Sequence, residues 1–316
     1  MTGTNPTNGD SESRVLVLNP VSGREDYTDR VRTLAAEHGF VVRETQAPGD
    51  GVDLARAAAS ADLIAAAGGD GTINEVIRGL RAADALADVT VAVIPTGTGN
   101  NFAGNIGVQS VEQGFDVVEH GETRQVDLGV ACGMEGDRPF LNSCIGGLTA
   151  NASANTSSEM KAKFGALAYV LRTIESLVAS EAIQLHVETV DHTDESWTGD
   201  AVFILIGNGR QFPADGQTQA DMEDGQLDIT IIEEYSTPGL VGEAAVSRIL
   251  GGETAHITRF SAPTLSVTVQ EASPVPFSLD GEMVHEHDLT IDTESAAVSL
   301  RVGDGYESTP ADSTGS

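Results

Sequence analysis

At 316 residues the chain has room for two domains with substantial cores, and 48 acidic against 17 basic residues give a formal net charge of −31. That charge disfavours binding nucleic acid through a basic face. Two cysteines, Cys132 and Cys144, are too few for a disulfide framework, and no stretch reaches the apolar length that spans a bilayer.

Residues 1–12 and 305–316 are rich in small polar residues and read as disordered tails. Between them, the first part alternates strand and helix patterns. Strands are predicted over 14–18, 40–44, 62–67 and 90–94, and helices over 27–38, 52–60 and 72–83. Residues 13–126 are therefore expected to form a Rossmann-like α/β domain, a parallel sheet with helices on both faces that binds ligands at the carboxyl ends of its strands. From Asp127 the pattern changes to short strand-like runs over 139–145, 182–190, 201–206, 226–232, 264–269 and 289–291. A helical stretch over 164–179 and a shorter one near 239–250 interrupt them. Residues 127–304 are expected to form an antiparallel β-sandwich, with the active site in the cleft between the two domains.

The most informative segment is Gly68-Gly69-Asp70-Gly71-Thr72-Ile73-Asn74, where a buried apolar strand turns through glycines into an amphipathic helix. Such a turn points main-chain N–H groups at whatever lies above it, and the helix N-terminus favours an anion. A lone carboxylate there repels phosphate unless a divalent cation lies between them, so the segment reads as a nucleotide-phosphate and Mg²⁺ site. Two further loops follow strands of the same sheet: Asn19-Pro20-Val21-Ser22-Gly23 and Pro95-Thr96-Gly97-Thr98-Gly99-Asn100-Asn101. One crevice could collect all three. Far away lies Leu279-Asp280-Gly281-Glu282, which on its own reads as a hairpin turn.

In this order and spacing the four motifs resemble the diacylglycerol kinase catalytic-domain family, which includes soluble bacterial lipid kinases and the sphingosine and ceramide kinases. The resemblance spans residues 14 to 304 and implies ATP-dependent phosphorylation of a lipid hydroxyl. Carried over residue by residue, it implies that Gly68, Gly69, Asp70, Gly71, Thr72, Ile73 and Asn74 wrap the ATP phosphates. Asn19, Ser22, Gly23, Thr45, Thr98 and Asn101 assist from the neighbouring loops. Asp280 matches the general base, with Glu282 as the alternative. Asp70 with Asp127 matches the acidic group that organises Mg²⁺ through water. In the segment 221–228, Asp224 by its side chain and Asp221 and Gln226 by their carbonyls match a loop that can hold a structural Mg²⁺. Family members often carry Asn-Asp where this chain has Asn100-Asn101, one carboxylate fewer around the metal.

The resemblance implies a lipid alcohol and ATP as partners at a membrane surface. The acidic charge argues against nucleic acid, and the two thiols with no spanning or signal-like stretch point to a cytoplasmic enzyme, peripheral on the inner membrane face, with a homodimer left open. The scattered acidic surface is similar to that of proteins from salt-loving organisms, where concentrated counterions screen self-repulsion. Two other readings share some motifs: an NAD kinase, which has the same glycine turn, and a nucleotide- or lipid-binding regulator that has lost catalysis. Residues 143–147 and Gly207-Asn208-Gly209-Arg210 resemble strand ends that face the family's cleft, though a lone Arg210 reads more simply as a surface ion pair. His285 and His287 lack a third metal ligand and read as surface residues, and Cys144 reads as core.

Overall fold

A computed structural model describes residues 13–23, 25–134, 136–147, 182–190, 195–214, 217–233 and 256–309. The helices expected over 164–179 and 239–250, and the tail residues 1–12 and 310–316, lie outside these. The first part runs β1 (Arg14–Leu18), α1 (Glu25–Glu37), β2 (Val41–Glu44), α2 (Asp50–Ala57), β3 (Leu63–Gly68), α3 (Asp70–Ala82), β4 (Thr90–Pro95), α4 (Asn101–Asn105) and α5 (Val111–His120). Its four strands pair in parallel in the order β2-β1-β3-β4.

Side chains alternate across a strand, so β1, β3 and β4 each feed two cores. Val15, Val17, Ile64, Ala66, Val91 and Val93 meet Val76, Ile77 and Leu80 of α3 and Ala55 of α2. Leu16, Leu18, Ala65, Ala67, Ala92 and Ile94 meet Val31, Leu34 and Ala35 of α1 and Val111, Phe115 and Val118 of α5. Both faces are covered, which explains why β3 is apolar at every position from Leu63 to Ala67.

The second part is antiparallel: β5 (Glu122–Gly133), β6 (Gly136–Phe140), β7 (Ser143–Gly146), β8 (Ile183–Thr189), β9 (Ser196–Gly207), β10 (Arg210–Ala214), β11 (Gln217–Gln219), β12 (Leu227–Glu233), β13 (Ile257–Ala262), β14 (Thr264–Val269), β15 (Val275–Leu279), β16 (Glu282–Glu286) and β17 (Asp288–Val302). β9 pairs with β7, β8 and β12, while β15 joins β7 to β16. Leu185, Val187, Ile204, Ile206, Ile229, Leu265, Val267 and Phe277 fill the core of this part.

Two long strands tie the halves together. β5 and β17 pair antiparallel from Thr290–Cys132 to Val302–Glu122, with a register shift between Glu294 and Val298. Their Leu289, Ile291 and Ala131 lie in the antiparallel core, whereas Val298, Leu300 and Val126 lie in the core beneath α3. Leu300 pairs in parallel with Val91, so the last strand extends the first sheet beyond β4.

Three expectations differ in detail. The single run over 139–145 is two strands, broken at Leu141 and Asn142 because the N–H groups of both go to the side chain of Asp280. The short run over 289–291 is the start of a 15-residue strand. Tyr306, expected within the tail, packs against the first core and donates its hydroxyl to Glu223 at 2.8 Å.

Candidate active site

The glycine turn follows from local chemistry. The strand β3 ends at Gly68, where a Cβ would lie 2.2 Å from Thr72 Oγ1, so only glycine lets the chain fold back on its own helix. Gly69 is extended and α3 starts at Asp70. The N–H groups of Thr72 and Ile73 both turn back to Gly69 O, at 3.0 and 3.2 Å. The first N–H groups of α3, those of Asp70 and Gly71, have no intrahelical acceptor. They lie at the positive end of the helix dipole, where an anion is stabilised.

The three loops that follow β1, β3 and β4 meet at this turn. Gly23 has φ +74°, and a Cβ there would sit 1.7 Å from Thr96 O. A Cβ on Gly97 would lie 2.5 Å from Gly69 Cα, and one on Gly69 would come 3.7 Å from Ser22 Oγ. Asn19 donates from Nδ2 to Thr72 Oγ1 at 3.2 Å and accepts from Val21 N–H on Oδ1. A cleft of about 460 Å³ opens above these loops, walled by Asn19–Ser22, Thr45–Pro48, Gly69, Gly71 and Thr72. Thr98 is exposed and stands outside this wall.

Asp70 is held by the next helix. Its carboxylate accepts from Asn101 N–H at 3.1 Å and Phe102 N–H at 3.0 Å, the first turn of α4. Asn101 therefore meets Asp70 through its main chain. Asn100 reaches this geometry in the left-handed region, at φ 43°, with its side chain donating to Gly97 O at 2.7 Å. Among the described residues the buried Thr96 Oγ1 and Asn100 Oδ1 have no partner, so the third loop keeps acceptor and donor capacity beside the turn.

Asp280 is placed by a tight turn. Asp280 and Gly281 have φ of 49° and 100°, the paired positive values of the two-residue hairpin that joins β15 to β16. The hairpin expected at Asp280-Gly281 is therefore present. The Asp280 carboxylate accepts three main-chain N–H groups, from Leu141 at 2.7 Å and from Asn142 and Ser143 at 3.0 Å each. Enclosure raises its pKa to about 6; the three N–H groups oppose that, and the negative charge of nearby Asp70 adds to it. Glu282, by contrast, forms long ion pairs with Arg78 at 3.7 Å and Arg138 at 3.9 Å. Pairs this exposed are worth about 0–1 kcal/mol.

Other residues lie elsewhere than the motif positions imply. Asn74 is buried and donates to Pro139 O at 2.9 Å, so it joins α3 to β6 and does not face the cleft. Ile73 is core, 1% exposed. Asp127 is 1% exposed and accepts from Gly225 and Ala296 N–H at 2.7 Å each, sharing no partner with Asp70. In the second-domain loop, Asp221 accepts from Glu223 N–H and Asp224 from Gln226 N–H. Among the described residues no three His, Cys, Asp or Glu side chains gather as a metal-holding group. Asp70 alone fits a Mg²⁺ whose other ligands are phosphate oxygens and water, the usual arrangement for that ion on nucleotides. Arg210, read as a surface residue, is instead 6% exposed in β10. Cys144 is core, as its apolar run predicts, and burial pushes its thiol up.

Two parts of the site carry no sequence signal of their own. Glu75, one turn along α3, accepts from Gly49 and Gly51 N–H at 2.9 Å each and so pins the loop after β2 against the cleft. The turn at 141–143, which grips Asp280, sits inside what reads as a continuous strand.

Comparison with known proteins gives this arrangement a family. Residues 13–131 match the model described as the diacylglycerol kinase catalytic domain, and residues 143–302 match the YegS C-terminal NAD kinase beta sandwich-like domain. A Pseudomonas aeruginosa protein named "Probable lipid kinase YegS-like" is 31% identical over 94% of this chain and 96% of its own. The diacylglycerol kinase of Bacillus subtilis is 29% identical over 84% of this chain and 88% of its own. A crystal structure of a diacylglycerol kinase from Bacillus anthracis shares the fold, with a TM-score of 0.71 at 24% identity over 94% of this chain and 99% of that one. The chain belongs to the diacylglycerol kinase catalytic-domain family and is a kinase-type enzyme. No helix among the described residues is long and apolar enough to cross a membrane.

Proposed function

We propose that the protein is an ATP-dependent lipid kinase that transfers the γ-phosphoryl group to the hydroxyl of a diacylglycerol-like lipid at a membrane surface. One observation carries the reading: a carboxylate with a raised pKa, Asp280, stands within electrostatic reach of Asp70, the residue that opens the glycine-turn helix. ATP with Mg²⁺ supplies the phosphoryl group and neutralises part of its charge. The glycine turn and the Asn19 and Thr96 loops bind the phosphates through main-chain N–H groups and side-chain oxygens. Asp70 would hold the metal ion, through water. Asp280 accepts the proton of the lipid hydroxyl as its oxygen attacks the γ-phosphorus; the bond to the β–γ bridging oxygen breaks and ADP leaves. Enclosure suits Asp280 to this task, because a base that titrates near 6 is ionised at neutral pH yet basic enough to take a proton.

Incubation with γ-labelled ATP and Mg²⁺ in high salt, against 1,2-dioleoylglycerol, a dialkylglycerol ether, a sphingoid base and NAD, tests the reading. Label should appear in a lipid phosphate. Label in the dinucleotide alone would favour the NAD kinase reading, and no transfer to any acceptor would sink the assignment.

A further inference from the structure

We propose that Asn105, the last residue of α4, is a positioning residue for the proton acceptor: through Asn142 it holds the 141–143 turn whose N–H groups grip Asp280. The inference rests on the reading of Asp280 as the acceptor. Asn105 Nδ2 donates to Asn142 Oδ1 at 2.8 Å and to Gly209 O at 2.9 Å. The turn itself is secured on its carbonyl side. Asn208 and Gly209 N–H donate to Asn142 O at 2.9 and 3.0 Å, and Asn208 Nδ2 donates to Leu141 O at 2.9 Å. Its N–H side carries Asp280, so the side chain of Asn142, 4% exposed, is the handle by which α4 reaches it.

That connection matters because of what lies at the other end of α4. The N–H groups of Asn101 and Phe102 hold the Asp70 carboxylate, and Phe102 and Ala103 are buried in the core beneath. One helical turn therefore has the phosphate-side carboxylate at its start and the clamp on the proton acceptor at its end. Motion of the 141–143 turn relative to the glycine turn is limited by α4. A misplacement of about 1 Å between reacting groups costs up to about 100-fold in rate, so a link of this kind bears on turnover and leaves ATP binding alone.

The test uses Asn105→Ala, Asn142→Ala and Asp280→Asn, singly and in pairs, in the full chain. Phosphoryl transfer from ATP to 1,2-dioleoylglycerol in detergent micelles is measured beside amide hydrogen exchange. Asn105→Ala should lower kcat about 10-fold to 100-fold with the KM for ATP unchanged, and the amides of Leu141, Asn142 and Ser143 should exchange faster. Asn142→Ala should cost no more than Asn105→Ala, which also loses the bond to Gly209 O, with no further loss in the double variant, and neither should lower the residual rate of Asp280→Asn. Asn105→Ser, which keeps a donor, should recover part of the rate and serves where the alanine variant does not fold. Unchanged exchange at the three amides, or a loss that multiplies with that of Asp280→Asn, overturns the proposal. Full activity of Asp280→Asn instead overturns the proton-acceptor reading, and the exchange rates then decide by themselves whether Asn105 holds the turn.

Discussion

The glycine-turn region and the hairpin region each present a carboxylate to the site, and each fixes it with main-chain N–H groups. Asp70 receives two, from the first turn of a helix, where the dipole of α4 favours a negative charge. Asp280 receives three, from an irregular turn with no helix behind it. Three hydrogen bonds to the charged form pull a carboxyl pKa down, yet that of Asp280 rises to about 6, so loss of water outweighs them. Asp127, with two such bonds and 1% exposure, is raised for the same reason. What separates Asp280 from Asp127 is its setting, on a hairpin tip beside Asp70 instead of within a junction of β5, β17 and the turn before β12. Hydrogen bonding orients a carboxylate, and enclosure decides when it holds a proton.

Removing the acceptor breaks the comparison most severely. Asp280→Asn keeps the shape of the side chain but not its basicity, and kcat should fall about 10²-fold to 10⁴-fold while bound ATP, measured by calorimetry, is retained. In the unaltered protein the sign with pH follows from the raised pKa. Below about 6 the acid form dominates and cannot accept a proton, so the rate should climb as pH rises through about 6 and level off above it. A rate that is flat between pH 5 and 7, or an active Asp280→Asn, would place the base elsewhere.

The glycine turn answers to a different change. A Cβ at Gly71 meets nothing within 4 Å, and Gly71 lies on the cleft wall in the first turn of α3. Gly71→Ala should leave the unfolding midpoint unchanged or higher, since alanine gains up to about 1 kcal/mol over glycine in a helix. Its methyl should nevertheless keep phosphate off the Asp70 and Gly71 N–H groups. Loss of one charge-assisted hydrogen bond, about 1.5–3 kcal/mol, weakens ATP roughly tenfold or more. Unchanged ATP affinity would remove the turn from the phosphate site.

The two regions also differ in how far the sequence reveals them. In the glycine turn the chemistry is on the main chain, and the glycines that permit close approach are themselves the signal; Gly23 and Gly97 stand where a Cβ would collide with a neighbouring loop, and Gly68 where it would collide with Thr72 of the helix that follows. Asp280-Gly281 reads as a hairpin, and it is one; only its company of other motifs marks it as more. The clamp around it is silent. Leu141, Asn142 and Ser143 act through N–H groups that every residue type but proline carries, toward a partner 137 to 139 positions away. Asn74 misleads in the opposite sense: it sits inside the motif, but the pitch of α3 turns it toward Pro139. The parallel elements were legible because apolar periodicity reports burial, whereas β5 and β17 belong to both cores and show neither period cleanly.

Glu282 gives the finest division between the two carboxylates of the hairpin. It follows Asp280 by two residues, and both are candidates for the base on sequence grounds. Asp280 is enclosed and aimed by three N–H groups, while Glu282 is 42% exposed at its side chain and paired at 3.7 and 3.9 Å with Arg78 and Arg138. Its carboxylate is thus engaged at the surface by two arginines, without the main-chain clamp that aims Asp280. Glu282→Gln should therefore lower kcat by less than about fivefold, the scale of a surface pair worth up to about 1 kcal/mol, and leave the pH profile in place. A loss as deep as that of Asp280→Asn, with the rise near pH 6 abolished, would reverse the two roles and make the three N–H groups on Asp280 a device for shaping the turn.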